Sequence, residues 1–574
     1  MERLLIKNIR YLYCMDEEDT FLENADIYIE GNVIKKIGTK LDVPADGVKV
    51  IDGTGKLALP GFINTHHHFY QNITRNIPIM QKGNLLGWLL YSYGAWENME
   101  EEDVKAAARL ATAELLMTGC TTSMDFMYFF PHGKHDLMDA EFEAVKELGL
   151  RFHGFRGCMP VMEGNLPAEM KERLGIDAGS LVESYDDILD SCDRTFQKYH
   201  DDSRFSMSRV GVGPTTVVFE NPEFMKELKK MADNRGGLCH THLHPRPDEI
   251  KKCGELYNCR PHQWLEKIGW IDKNVSFAHI SRHNAEELDI VARNGASVTQ
   301  SPSCHMRLGY PIAPALEARD RGIPVSIGVD GGASNDSGDM LGELRTMLYV
   351  HRIDGGHPGY GPERWINAKE VFEMATVNGA KCLNRDDIGM LKEGMAADQL
   401  AQAKVDAIIW NGTAGSWLGI ERDREMCQKI EEKTKIPMST ASLGLVGSYQ
   451  DFDIKRLHLV TPYIKEMNDA IIREYEKLGL TAAGVTGLGI TENTEIGSVT
   501  KEQLETLCCS TGAGHGEGIA VVCTNLAAAW RADLIEKRSG AVVFDSVTAA
   551  VREALKLCGL EKLSFQGWGK LLDV

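Results

Sequence analysis

A chain of 574 residues exceeds one ordinary domain, so two or three are expected. Its 43% hydrophobic and 25% charged content is that of a soluble globular protein, and a formal charge of −20 argues against a nucleic-acid polymer as partner. No apolar run reaches membrane-span length, "MERLLIKNIRYLY" lacks a signal-peptide plan, and fourteen scattered cysteines without a C-x-x-C pair fit free thiols in a reducing cytoplasm.

Residues 1–56 alternate short β patterns with turns ("LLIKNIRYLY", "ADIYIEGNVIKKIG", "VKVIDGTGKLALPG") and predict a small antiparallel sheet, the N-terminal part of a β-sandwich. From Pro60 the rhythm becomes strand, loop, helix. The apolar "KLALPGFIN" predicts a buried strand that exposes "THHHF" at its end. Strand alternation puts His66 and His68 on one side and turns His67 away, packed behind the strand or bonded to a neighbour.

The stretch "MEEEDVKAAARLATAELLMTG" predicts a helix: Val104, Ala108, Ala111, Leu115 and Leu116 recur at helical spacing, acids fill its first turn and Gly119 stops it. Further strands are expected at "CTTSMDFMY", "LRFHGFRG", "RVGVGPT", "GGLCHTHLH", "NVSFAHIS", "ASVTQSPS" and "PVSIGVDGG". Eight β/α units over roughly 320 residues predict a (β/α)8 barrel over residues 57–395. Beyond Gly394, "VDAIIWNGTAGSW", "GIAVVCTNL" and "GAVVFDS" predict a partial open α/β domain over residues 396–574.

Active groups in such a barrel sit at the C-terminal strand ends. Those ends carry His66 and His68 on the first strand, His240, His242 and His244 on the fifth, His279 on the sixth and Asp330 on the eighth. One histidine or aspartate at a strand end is ordinary. Four of eight ends carrying imidazole or carboxylate point to a metal site.

With these pieces in place, "PGFINTHHHFYQNITR", "LLMTGCTTSMDF", "CHTHLH", "SFAHIS", "SPSCHMRLG" and "GVDGGASND" resemble the amidohydrolase superfamily over residues 1–395, and most closely its 8-oxoguanine deaminase and triazine hydrolase branch. The resemblance implies that His66, His68, His242 and Asp330 hold one divalent ion, Zn²⁺ or Fe²⁺, with Asp330 also accepting a proton from water and His279 polarising a small N-heterocyclic substrate. Gln71, Trp88 and His244 are the expected substrate contacts: an amide for a heterocycle edge, a stacking face and a polar group at the fifth strand. The implied reaction is hydrolysis of a ring C–N bond, a deamination. Two positions depart from the pattern. Pro245 stands where the relay glutamate belongs, leaving His244 or Glu249 to substitute, and His305 stands where asparagine is usual.

The tail, in "AIIWNGTAGSW", "TPYI", "GLGITENTEIG" and "VVCTNL", resembles the maleate isomerase and arylmalonate decarboxylase branch of the aspartate/glutamate racemase superfamily. That implies a cofactor-free cysteine enzyme for a small dicarboxylate, with Cys523 as the second catalytic cysteine and Tyr463 and Asn493 on substrate. Gly412 occupies the first catalytic cysteine position, and the first sixty or so residues of that fold have no counterpart. Both resemblances break at one joint, the pattern of a recombined reading frame as much as of an evolved fusion. The assembly state is left open, a homo-oligomer included.

Overall fold

The computed structural model describes all residues except 1–2, 44–45, 163, 244–245, 354–360, 398–406, 435, 492, 561 and 574, and the side chains of 433–434 and 493–494. The chain divides into two compact units, Met1–Ala403 and Lys404–Val574.

The first unit opens with a five-stranded sheet of β1 (Arg3–Tyr13), β2 (Phe21–Glu30), β3 (Val33–Thr39), β4 (Val48–Asp52) and β5 (Leu57–Ala58). The order is β3-β2-β1-β4, with β5 also paired to β1. An all-antiparallel sheet is expected from the sequence; the structure is mixed. Only β1–β2 and β2–β3 are antiparallel, whereas β4 and β5 join β1 in parallel. The reason is topological. After β3 the free edge of β1 lies across the sheet, so the chain crosses back and arrives running with β1.

An eight-stranded parallel sheet follows in sequence order: β6 (Phe62–Asn64), β7 (Cys120–Met127), β8 (Arg151–Cys158), β9 (Ser208–Pro214), β10 (Leu238–Leu243), β11 (Val275–His279), β12 (Ser297–Gln300) and β13 (Val325–Ile327). Its ends meet, because Thr65 N–H donates to the Ile327 carbonyl at 3.1 Å and Asp330 N–H to the His66 carbonyl at 3.0 Å. Closure therefore brings the first and eighth strand ends together, where the histidine run faces Asp330. Gly328 permits this: a Cβ there would lie 2.6 Å from the His66 backbone nitrogen.

The helices pack outside the strands. The one predicted after residue 100 runs from Glu101 to Met117 and buries Val104, Ala108, Ala111 and Leu115, with Leu116 half-buried. Among the described residues no helix is long and apolar enough to cross a membrane.

The second unit pairs β14 (Ile408–Trp410) with β15 (Met438–Thr440). A four-stranded parallel sheet follows: β16 (Arg456–Thr461), β17 (Thr481–Gly487), β18 (Gly518–Val521) and β19 (Val542–Asp545), in the order β17-β16-β18-β19. Strand β18 is fully buried whereas β17 lies at an edge and is half-buried to exposed, as expected for the middle and border of an open α/β sheet.

Candidate metal centre

The histidine run begins just past β6, so the two-residue alternation continues in extended backbone beyond the strand. His66 and His68 turn into the barrel mouth with ring centroids 4.8 Å apart. His67 turns the other way: its Nδ1 accepts from His68 N–H at 2.8 Å, and its ring meets Phe69 edge-on.

His242, at the end of β10, brings its Nε2 to 3.1 Å from His68 Nε2. Asp330 Oδ1 lies 3.6 Å from His66 Nε2 and 3.5 Å from His68 Nε2, and Asp330 Oδ2 lies 3.9 Å from His279 Nε2. Two overlapping sets, His66–His68–Asp330 and His66–His242–His279, have donor atoms all within 4.8 Å of one another. Tetrahedral ligands about 2.0–2.1 Å from a zinc ion stand roughly 3.4 Å apart. The spacing fits, and so does the chemistry, because His66 Nε2 is buried with no hydrogen-bond partner. An orphaned imidazole nitrogen aimed at two others and a carboxylate is costly unless a cation takes its lone pair.

The orientations follow from the outer nitrogens. His68 Nδ1–H donates to the Phe126 carbonyl at 2.7 Å, and His242 Nδ1–H to the Thr215 carbonyl at 2.9 Å. A carbonyl can only accept, so both rings turn an Nε2 lone pair inward. His66 Nδ1 lies 2.9 Å from His240 Nε2, and His240 Nδ1 lies 2.7 Å from Ser276 Oγ. Burial first, then crowding by neighbouring imidazoles, holds His66 and His68 well below the usual histidine range, and burial takes His242 to about 4. They are therefore neutral at pH 7, the form that binds a cation. Burial raises the Asp330 carboxyl, so that group too benefits from a nearby positive charge.

Backbone strain marks the same place. His279 and Ile280 have φ of 79° and 45°, and Asp330 has φ of 64°, all left-handed in residues other than glycine. Such conformations cost on the order of 1–3 kcal/mol each and persist where surrounding structure enforces them.

A cleft of about 550 Å³, partly open to solvent, lies over the centre and is lined by His68, Gln71, Trp88, His242, Glu249 and Asp330, among others. Gln71 is 1% exposed, and its Oε1 has no partner. It fits only because residue 331 is glycine: a Cβ there would stand 1.8 Å from that oxygen. Trp88 lines the cleft with its ring but spends its N–H on the Ala333 carbonyl at 3.0 Å. His244 and Pro245 lie outside the described residues, whereas Glu249 is buried at the cleft and accepts from Arg246 N–H at 2.8 Å.

In the second unit Tyr463 and Cys523 are both buried side chains close enough to interact, and Tyr463 OH lies 3.3 Å from Thr413 Oγ1. The Asn525 N–H donates to Cys523 Sγ at 3.4 Å. Asn493 begins a short helix, Asn493–Gly497, and its side chain lies outside the description.

Sequence reasoning placed His240 at a strand end without giving it a role. The signal was present, since residues 240 and 242 share a face of β10. The carbonyls of Phe126 and Thr215 left no signal, because any residue supplies a carbonyl.

Comparison with known proteins agrees with this geometry. Residues 57–422 match the amidohydrolase family, and residues 388–572 match arylmalonate decarboxylase. The chain is 32% identical over 386 residues to the 8-oxoguanine deaminase of Pseudomonas aeruginosa, covering 67% of this chain and 82% of that one. It is 33% identical over 424 residues to the hydroxydechloroatrazine ethylaminohydrolase of Pseudomonas sp. strain ADP, covering 70% and 83%. Among solved structures, the atrazine chlorohydrolase of Arthrobacter aurescens complexed with zinc superimposes with a TM-score of 0.63 at 33% identity, covering 69% of this chain and 86% of that one. By sequence, fold and the arrangement of its buried imidazoles, the chain belongs to the amidohydrolase family.

Proposed function

We propose that the first unit is a metal-dependent aminohydrolase that breaks a C–N bond of a small N-heterocycle, such as 8-oxoguanine or a related purine, pyrimidine or triazine. One observation supports this: two donor sets, His66–His68–Asp330 and His66–His242–His279, share the buried His66 Nε2, which has no hydrogen-bond partner. These four residues would hold one divalent ion, Zn²⁺ or Fe²⁺. When bound, such an ion supplies Lewis acidity that lets water attack near neutral pH.

The chain's own groups do the rest. Asp330, within 3.6 Å of His66 Nε2 and His68 Nε2, sits where it can accept the proton that the attacking water loses. His279, 3.9 Å from Asp330, faces the side where negative charge develops on the substrate. The Gln71 amide offers an acceptor and two donors to a ring edge, and Trp88 walls the cleft. Glu249 is the carboxylate at the cleft able to stand in for the glutamate that Pro245 displaces. Fourteen free cysteines support a cytoplasmic location.

The test is ammonia release from purines, pyrimidines, pterins and triazines, with and without chelator, beside metal analysis of the purified protein. Chelator-sensitive release and one divalent ion per chain are expected. No bound ion, together with no turnover across the panel, would overturn the assignment. The proximity of Cys523 and Tyr463 supports a second activity in the tail, a cofactor-free isomerase or decarboxylase of a small dicarboxylate such as maleate. It predicts chelator-insensitive turnover lost in Cys523→Ser.

A further inference from the structure

Four imidazoles turn an Nε2 atom towards the centre, and their outer nitrogens are held in two different ways. Main-chain carbonyls hold His68 and His242. Other imidazoles hold His66 and His279: His240 for the first, and for the second His305, whose Nε2 lies 3.1 Å from His279 Nδ1. A carbonyl leaves no choice of tautomer, whereas an imidazole can accept or donate.

His279 needs such support more than the others do. It ends β11 in a left-handed conformation, so regular strand geometry does not aim its ring. His305 is well placed to aim it. It is 4% exposed and lies on the helix Pro302–Leu308, whose first turn is tied down by Ser303 N–H donating to buried Glu343 Oε1 at 2.9 Å. Its own carbonyl accepts from Tyr310 N–H at 2.8 Å. The neighbouring residue, Cys304, lines the cleft beside Asp330, so consecutive residues of one short helix back the two groups opposite the histidine run.

We propose that His305 is a positioning residue: its Nε2 accepts from His279 Nδ1–H, fixing the plane of the His279 ring and presenting the Nε2 lone pair to the reaction centre. The direction follows from what surrounds that nitrogen. His66, His242 and His279 gather donor atoms about one point, where a cation repels an N–H and attracts a lone pair. In this tautomer Nε2 can receive, by way of Asp330 3.9 Å away, the proton that the attacking water loses, and as an N–H it then faces the negative charge that develops on the substrate. The reverse tautomer would already carry a proton there.

The kinetic arm of the test rests on the proposed hydrolase activity; the spectroscopic arm does not. In the zinc-loaded protein, His305→Leu should lower kcat by about tenfold to a hundredfold. KM should stay within about twofold and zinc content unchanged, and His305→Gln, whose side-chain carbonyl accepts, should recover most of the rate. In ¹⁵N-histidine-labelled protein, the His279 Nδ1–H resonance, assigned by its loss in His279→Asn, should be protected from exchange. It should lose protection in His305→Leu and keep it in His305→Gln. Full activity in the leucine variant, or an Nδ1 without a proton in the parent protein, would overturn the proposal. If no substrate is turned over, the resonance alone decides it, and a protected Nδ1–H that depends on residue 305 upholds it.

Discussion

Two buried polar clusters lie on opposite sides of the tripeptide His66–His68. On the inner side, imidazoles and Asp330 converge, and His66 Nε2 is left for a cation. On the outer side, His67 lies 4.0 Å from Asp125, which accepts from Phe69 N–H at 2.6 Å and faces the like charge of Glu141 on the helix Leu137–Leu148. Both carboxyls are fully buried, and burial pushes both up, Glu141 to about 8. Equally dry surroundings therefore give opposite chemistry. Inside, neutral lone pairs point at one another and call for a positive ion. Outside, two acids relieve their repulsion by keeping protons. Burial raises the cost of any unmet polar group, but only convergence of lone pairs makes a metal site.

The contrast can be broken most severely by removing an inner ligand. His242→Ala should abolish chelator-sensitive turnover and leave less than one metal ion per chain by elemental analysis; retained metal and rate would show that the inner cluster is not the site. Asp330→Asn should lower kcat by about 10²–10⁴-fold, measured with metal content checked in parallel. His240→Ala leaves every proposed ligand in place but removes the partner of His66 Nδ1, so metal affinity should fall by about 10–100-fold in a competition titration.

The outer cluster should respond through stability instead. Glu141 has its proton affinity raised on folding, from 4.5 to about 8, so its contribution is fully present below pH 4.5 and is lost as pH rises through about 8. Urea unfolding of the barrel should show wild-type stability falling between pH 6 and pH 9 by on the order of 2 kcal/mol. Glu141→Gln should reduce that fall, with the remainder belonging to Asp125, while leaving activity in place. The smallest effect is expected from Cys523→Ser, which should leave the aminohydrolase rate unchanged because Cys523 belongs to the other unit.

The barrel was legible because its strands are short apolar runs whose ends carry the chemistry, as in "SFAHIS" and "GVDGG". The relation of His66 to His68 was legible because a two-residue period survives in extended backbone even where the ladder has stopped. Other features left no trace in the text. Parallel entry of β4 depends on which sheet edge is free, which local pattern does not encode. The Asp125–Glu141 pair joins a strand and a helix, and each acid alone reads as an ordinary polar residue. The role of His305 is visible only once the ring it touches is in place.

The left-handed backbone at His279, Ile280 and Asp330 has a practical corollary. A β-branched side chain at Ile280 is held where glycine would sit at ease, so the backbone beside the centre carries tension that its surroundings must hold in place. Variants selected for heat resistance that relax this corner would therefore tend to be poorer catalysts.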